Sequence, residues 1–396
     1  MTAALKPPSV LFVHAGAELY GADRILLELT AGLRDRGHAL HVVLPGPGPL
    51  HAELAQIAVP SHRRNLGVLR RRYFTPLGLL NRACRLATAT RYLVRLIRTH
   101  DIAVVHSNTT AVIAGALAAC WAGVPHVWHV HEITTRPRWF ATAIARLVGL
   151  LSNRVAFVSA ATRDHLCAMD ARVRANAVVI HNGIDPARVS AGQPGVLRGE
   201  LGWSAQHVVV GMIGRVNWWK GQLTLLDCAA RLVERDASLR FVMVGGTYDG
   251  DNRVMEQLTG AIAAQGLGKV VRVCDFRSDV GNVLADLDVF VLPSTEPDPF
   301  PTVVLEAMAA ARPVVAFRHG GVCEMVEEGV TGLLCAPCSV DAMAAAILRL
   351  AGDPETRRRM GADGRQRLEQ LFTRAAFIDR FADLYRELAG RKGPVA

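Results

Sequence analysis

The sequence predicts an α/β protein of two domains, each built on a parallel sheet, and three observations lead there. At 396 residues the chain exceeds the size at which a single core usually stays whole. Short apolar strand signals alternate with helical ones in both halves, the pattern of βαβ units with right-handed crossovers. Between the halves the pattern stops at Asn182-Gly183-Ile184-Asp185-Pro186; Gly192, Pro194 and Gly195 follow, so residues 183–203 are expected to link the domains. Two Rossmann-like halves of this kind take ligands at the carboxyl ends of their strands.

Val10–His14 reads as the first strand, an apolar run after Lys6-Pro7-Pro8 that is too short for a secretory signal. Ala22–Arg36 has helical spacing and Leu40–Leu44 is the second strand. Ala103–His106, Val127–His131, Val155–Ser159 and Ala177–His181 continue the series. From Ala111 to Val130 no Asp, Glu, Lys or Arg occurs, so a membrane span has to be weighed. Gly123-Val124-Pro125 breaks that run and His126 and His129 would sit in hydrocarbon, so a buried helix followed by a buried parallel strand is expected. The second series starts at Val208–Ile213 and includes Arg240–Val244, Val270–Cys274, Val289–Leu292 and Pro313–Ala316, with helices at Asp341–Leu350 and Arg374–Leu388.

An apolar share of 51% excludes a disordered chain. Eight cysteines without regular spacing read as reduced thiols of a cytoplasmic protein, and Cys335-Ala336-Pro337-Cys338 stands without a second pair to complete a metal site. Charge is uneven: from Leu54 to His100 there are ten Arg and no Asp, Glu or Lys, matching the whole chain's excess of +10. Leu77, Leu79, Leu80, Leu86, Leu93 and Leu96 alternate with Arg82, Arg85, Arg91, Arg95 and Arg98. That amphipathic pattern fits a solvated helix face or docking on an anionic membrane surface, and docking is the reading preferred, peripheral on the inner face of the cell membrane. No RNP, helix-turn-helix or zinc-finger pattern accompanies the charge, so nucleic acid is not expected as a partner.

Two stretches carry the chemistry. Gly214-Arg215-Val216-Asn217-Trp218-Trp219-Lys220-Gly221 puts two cations on a loop after an apolar strand. Asp298-Pro299-Phe300-Pro301-Thr302-Val303-Val304-Leu305-Glu306 puts two carboxylates around a Pro-rich turn that opens a helix. Arg forks onto two phosphate oxygens, Lys supplies a mobile point charge, and a helix start adds unpaired N–H groups. Carboxylates accept from sugar and ribose hydroxyls, so together the stretches describe a pocket for a sugar diphosphate.

Other polar clusters are less specific. Gly16-Ala17-Glu18-Leu19-Tyr20-Gly21 joins the first strand to the first helix but lacks the G-x-G-x-x-G spacing of a dinucleotide fingerprint. His126, His129 and His131 share one strand, with His129 and His131 on one face and His126 on the other, so a three-His metal site is poorly formed. Asp249-Gly250-Asp251 has the form of a metal-binding carboxylate pair, yet Arg215 and Lys220 already serve the diphosphate, and no metal or other cofactor is expected.

In order and spacing these residues resemble the retaining GT4-type glycosyltransferases of GT-B fold, over nearly the whole chain. Ser159-Ala160-Ala161-Thr162, Ile180-His181-Asn182-Gly183-Ile184-Asp185, Asp279-Val280 and Gly320-Gly321-Val322-Cys323-Glu324 fall where that family's landmarks fall. The resemblance implies two Rossmann-like domains facing across a cleft: residues 1–190 on the acceptor side, 191–375 binding the nucleotide sugar, and a helix at 376–396 returning to the first domain. It implies that Arg215 and Lys220 stabilise the departing diphosphate, Glu306 binds ribose, and His131 reaches the transferred sugar with His129 next to it. Gly21 would lie against the diphosphate or the acceptor, and Phe300, Thr302 and Val303 would line the donor. Asp298 departs from the family's usual Glu, and Pro301 replaces a frequent Gly, which bears on sugar identity more than on reaction class.

The expected activity is therefore hexosyl transfer from a nucleotide diphosphate sugar to a hydroxyl of a saccharide or lipid-linked acceptor, in the synthesis of a cell-surface polysaccharide or glycolipid. A GT-B-fold nucleotide-sugar epimerase and a non-catalytic nucleotide-sugar-binding protein are the alternatives.

Overall fold

The structure, a computed structural model, describes residues 6–68, 75–247 and 251–390. The chain divides into two compact units, Met1–Asn182 with Arg374–Ala396, and Gly183–Thr373.

The first unit is built on a seven-stranded parallel sheet: β1 (Val10–Val13), β2 (Leu40–Leu44), β3 (Ser61–Arg63), β4 (Val104–Ser107), β5 (His126–Val130), β6 (Arg154–Phe157) and β7 (Ala177–Val179). Their order is β3-β2-β1-β4-β5-β6-β7, so the direction of winding reverses between β1 and β4. Val10 stands opposite Leu40 on one side and Val104 on the other. All four residues of β1 are fully buried, as a strand covered by helices on both faces requires. On one face the helices Gly21–Asp35 and Arg374–Gly390 pack Ile25, Leu29, Phe377, Phe381 and Tyr385 against the sheet. On the other, helices Pro76–Thr99 and Ala114–Ala122 supply Leu93, Ile97, Ala114 and Ala118.

Gly32 sets the closeness of the helix Arg374–Gly390, because a Cβ there would lie 2.0 Å from Ile378 Cδ1. Ion pairs Arg36–Asp379 at 2.5 Å, Arg374–Glu28 at 2.5 Å and Arg154–Glu387 at 2.7 Å rim that contact. Of the leucines that alternate with arginine, Leu93 and Leu96 belong to the core, while Leu77 and Leu80 are exposed. The helix therefore keeps an ordinary buried stripe, and among its described side chains the large exposed apolar ones, Leu77 and Leu80, lie in the first turns.

The second unit carries six parallel strands: β8 (Val208–Ile213), β9 (Leu239–Val244), β10 (Val271–Cys274), β11 (Val289–Leu292), β12 (Val314–Phe317) and β13 (Gly332–Cys335). Their order, β10-β9-β8-β11-β12-β13, repeats the reversal between β8 and β11. The expected linker at 183–203 is instead part of this body. It forms short helices at Ala187–Ser190 and Val196–Leu201. The buried Asp286 carboxylate accepts from Gly195 N at 2.6 Å and Arg198 N at 2.9 Å, and Gly192 sits so close to Gly281 that a Cβ would meet its carbonyl at 2.1 Å.

Candidate functional site

In an open parallel sheet the loops leaving neighbouring strands at the reversal point diverge and leave a crevice at their carboxyl ends. In the second unit those loops follow β8 and β11, and they hold both stretches singled out in the sequence. The Asn217 side chain accepts from Trp219 N at 3.2 Å and Lys220 N at 2.9 Å, folding Gly214–Gly221 into a tight turn. Gln222, buried, donates from Nε2 to the Arg215 carbonyl at 2.9 Å. Gly221 has a φ of +87°, and a Cβ there would meet the Pro293 carbonyl oxygen at 1.9 Å, so only glycine lets this loop lie on the one after β11. Thr295 N then donates to Trp219 O at 2.8 Å and ties the two together.

The result brings Lys220 and Asp298 into contact across 78 residues: Nζ is ion-paired with Oδ2 and lies 4.3 Å from the Trp219 ring. Asp298 is buried and Lys220 half-buried, while Arg215 and Glu296 are exposed. The segment under Asp298 is fixed by the glycine pair. Gly321 N donates to the Asp298 carbonyl at 2.8 Å, and a Cβ on Gly320, whose φ is +69°, would lie 2.4 Å from that oxygen. His319 bonds the Ser294 carbonyl through Nε2 at 2.7 Å. The helix Thr302–Ala309 opens at Thr302 behind an extended Pro301, and no side chain caps its first N–H groups. Glu306 is half-buried one turn into it; Phe300 is buried, edge-on to Phe372 at 5.8 Å.

In the first unit the corresponding loops follow β1 and β4, with the end of β5 beside them. His131 lies just past β5, and its Nε2 is 3.0 Å from Asn108 Oδ1. Burial pushes its pKa down to about 3, with His14 adding to that effect and Asp23 opposing it, so the ring is neutral at ordinary pH. His129, fully buried, stacks behind His131 with ring centroids 3.9 Å apart and has Phe381 at 4.9 Å; burial holds it well below the usual histidine range as well. Burial raises the Glu132 carboxyl, which accepts from Thr110 Oγ1 at 3.2 Å. Gly21 is exposed at the start of its helix, and a Cβ there would meet nothing within 4 Å. Sequence reasoning placed Gly320 among the family landmarks without its contact to Asp298, gave no role to Asn217 or Gln222, and missed the partners of His131; the Asx spacing of Asn217 was the available signal.

Among the described residues no group of three or more His, Cys, Asp and Glu is placed to hold a metal ion. Asp251 is paired with Arg253 at 2.7 Å, and Asp249 lies outside the described residues. Cys335 and Cys338 are both free thiols.

The family model for glycosyl transferases group 1 matches residues 196–367, and that for glycosyltransferase family 4 matches residues 19–188. An α-maltose-1-phosphate synthase of Mycobacterium tuberculosis (strain CDC 1551 / Oshkosh) is 32% identical over 343 residues, covering 79% of this chain and 85% of that protein. The chain belongs to the family 4 glycosyltransferases. It is an enzyme of glycosyl transfer, with the GT-B pair of parallel sheets expected for the family. A D-inositol 3-phosphate glycosyltransferase of Corynebacterium glutamicum (strain R) is 33% identical over 226 residues, 52% of this chain and 53% of that one. Among solved structures, Anabaena Alr3699/HepE in complex with UDP-glucose is 26% identical and superposes with a TM-score of 0.82 over 96% of this chain and all of that one. WaaG, a glycosyltransferase of lipopolysaccharide biosynthesis, shares the fold at a TM-score of 0.70 and 17% identity, over 95% of this chain and 99% of its own.

Proposed function

We propose that this glycosyltransferase moves a hexose from a nucleotide diphosphate sugar to an acceptor hydroxyl with retention of anomeric configuration. The observation that carries the reading is the contact of Lys220 with Asp298 at the reversal point of the second sheet, beside the start of the helix Thr302–Ala309. Lys220 and Arg215 are the cations for the diphosphate, with the Thr302 and Val303 N–H groups at the helix start. Asp298 takes hydroxyls of the sugar and Glu306 those of the ribose. In the first unit we assign His131 to the transferred sugar, with Gly21 near the diphosphate or acceptor. The bond from C1 to the diphosphate breaks and a bond from C1 to the acceptor oxygen forms on the same face. The acceptor's proton passes to the departing phosphate oxygen, and Lys220 and Arg215 stabilise the charge that develops there. Two cations and a helix start make a metal unnecessary for that task.

The UDP-glucose bound in Alr3699/HepE supports a nucleotide-sugar donor and makes UDP-glucose the first to try. For the acceptor we favour a hydroxyl of a saccharide or lipid-linked glycan, at an anionic membrane surface on the cytoplasmic side. Leu77 and Leu80 are 81% and 62% exposed, and Arg85, Arg91, Arg95 and Arg98 are exposed along the same helix. Among the described residues no helix is long and apolar enough to cross a membrane, so docking is peripheral in this reading. Incubation with a nucleotide-sugar panel tests the reaction. Release of nucleotide dependent on an acceptor is expected; an isomerised donor would mean an epimerase, and binding without turnover a non-catalytic protein.

A further inference from the structure

A chain of buried polar side chains leads to His131 from the first loop of the N-terminal unit. Asp23, His14 and Asn108 are all buried. Asp23 Oδ2 accepts from Tyr20 N at 2.9 Å, and Oδ1 lies 2.7 Å from His14 Nε2. Gly16 leaves room for that carboxylate, since a Cβ there would lie 2.6 Å from Oδ1. His14 Nδ1 faces Asn108 Nδ2 at 3.2 Å and the Asn108 carbonyl at 3.3 Å. Asn108 Nδ2 is also 3.5 Å from the Ala22 carbonyl, and Oδ1 is 3.0 Å from His131 Nε2.

Two members of this chain have no choice of role. An ionised carboxylate only accepts, so Asp23 requires a His14 proton on Nε2, while Nδ1 lies between the Asn108 amide nitrogen at 3.2 Å and the Asn108 carbonyl at 3.3 Å. A backbone carbonyl also only accepts, so the Ala22 carbonyl at 3.5 Å requires the Asn108 amide nitrogen on its side, and it is this contact that orients the amide. The Ala22 contact thus turns the Asn108 oxygen toward His131, where a proton on Nε2 satisfies it. Burial keeps the His131 ring neutral, so there is one proton to place.

We propose that Asp23, His14 and Asn108 are positioning residues that hold His131 in its Nε2–H tautomer, leaving Nδ1 to accept a hydrogen bond from a hydroxyl of the transferred sugar. The second half rests on the assignment of His131 to the sugar made above. The opposite tautomer would set a lone pair against Asn108 Oδ1. Turning the amide to relieve it would set oxygen against the Ala22 carbonyl, so each alternative leaves a buried repulsive pair.

The test is the nitrogen-15 spectrum of the histidine-labelled full chain at neutral pH, with His131 assigned by its loss in His131→Gln. Protonation at Nε2 is expected in the wild type. Asn108→Leu, which keeps size and removes the acceptor, should populate the Nδ1–H form and lower kcat/KM about tenfold, the loss of roughly one hydrogen bond. Asn108→Asp keeps an oxygen on Nε2 and should keep the proton there. A wild-type His131 protonated on Nδ1, or a tautomer unchanged in Asn108→Leu, overturns the proposal. If the leucine variant does not fold, the wild-type spectrum and Asn108→Asp decide it. Full turnover by His131→Gln would overturn the sugar role alone, and that outcome reads separately from the tautomer.

Discussion

Removing the Lys220 ammonium separates catalysis from stability in a way the structure makes quantitative. Lys220 and Asp298 side chains are 17% and 9% exposed, so each is the other's principal charge partner in a mostly desolvated setting. Lys220→Ala deletes a cation assigned to the leaving diphosphate, and loss of one such preorganised group lowers kcat by about 10²-fold to 10³-fold. It also strands the buried Asp298 carboxylate. Breaking a fully buried pair costs about 3–5 kcal/mol, and solvent access on the Lys220 side brings this to about 2 kcal/mol. For a unit of this size that is a fall in Tm of roughly 4–8 °C, with the fold retained. Neutralising the stranded acid should undo the second effect and leave the first. Lys220→Ala/Asp298→Asn is therefore expected to melt close to wild type and remain at least 10²-fold slower. Thermal melts and steady-state kinetics of the two singles and the double check this. Turnover in Lys220→Ala within threefold of wild type, or recovery of turnover in the double variant, would rule out a leaving-group role for Lys220.

Three further outcomes follow from the same geometry. Histidine pKa values are lowered below 6.5 at His38, His41, His62, His106, His126, His129 and His131 in the first unit, with His41 at about 4 and His126 and His131 at about 3, against His207 alone among the described residues of the second. Below pH 6.5 the unfolded chain binds protons that the folded unit refuses, so stability is fully present above that pH and lost as pH falls toward 3, by about 1.4 kcal/mol per unit for each fully buried ring; hydrogen exchange at pH 7 and 5 should show amides of 6–182 opening before those of 183–373, and the reverse order would contradict it. Gly320→Ala forces a left-handed φ and a 2.4 Å contact onto the Asp298 carbonyl, so it should cost about 1–3 kcal/mol and lower kcat/KM more than the same change at exposed Gly199, measured side by side. Leu77→Ser/Leu80→Ser should weaken sedimentation with anionic vesicles, which salt should reverse, without changing donor KM; equal binding to neutral vesicles would remove membrane docking from the account.

Much of this was legible because it is local. β8 and β11 are unbroken apolar runs of strand length and β2 is one broken only by His41, and the sequence places them where the structure does. Arg215 and Lys220 sit on one loop, and Asp298, Thr302 and Glu306 on one turn and helix, so spacing alone groups each set. What escaped depends on partners far away in the chain. The three residues of β3 carry no apolar signature and become a strand only by pairing with β2. Residues 183–203 look like a linker because their Gly and Pro are read without Asp286, roughly ninety residues on, which seats them. Leucines of the arginine-rich helix divide into core and surface by which face meets the helix Ala114–Ala122. The pairing of Lys220 with Asp298, and the chain from Asp23 to His131, join residues that no period connects.

In the function proposed above, Arg215 and Lys220 carry a nucleotide diphosphate leaving group in this site. The most direct measurement is release of nucleoside diphosphate from the donor selected by the panel, with acceptor and excess EDTA, in wild type and Arg215→Ala. Release that persists in EDTA for the wild type and falls about 10²-fold or more in the variant is the predicted result. Near-normal release by Arg215→Ala, or a strict requirement for added Mg²⁺ or Mn²⁺, would contradict it.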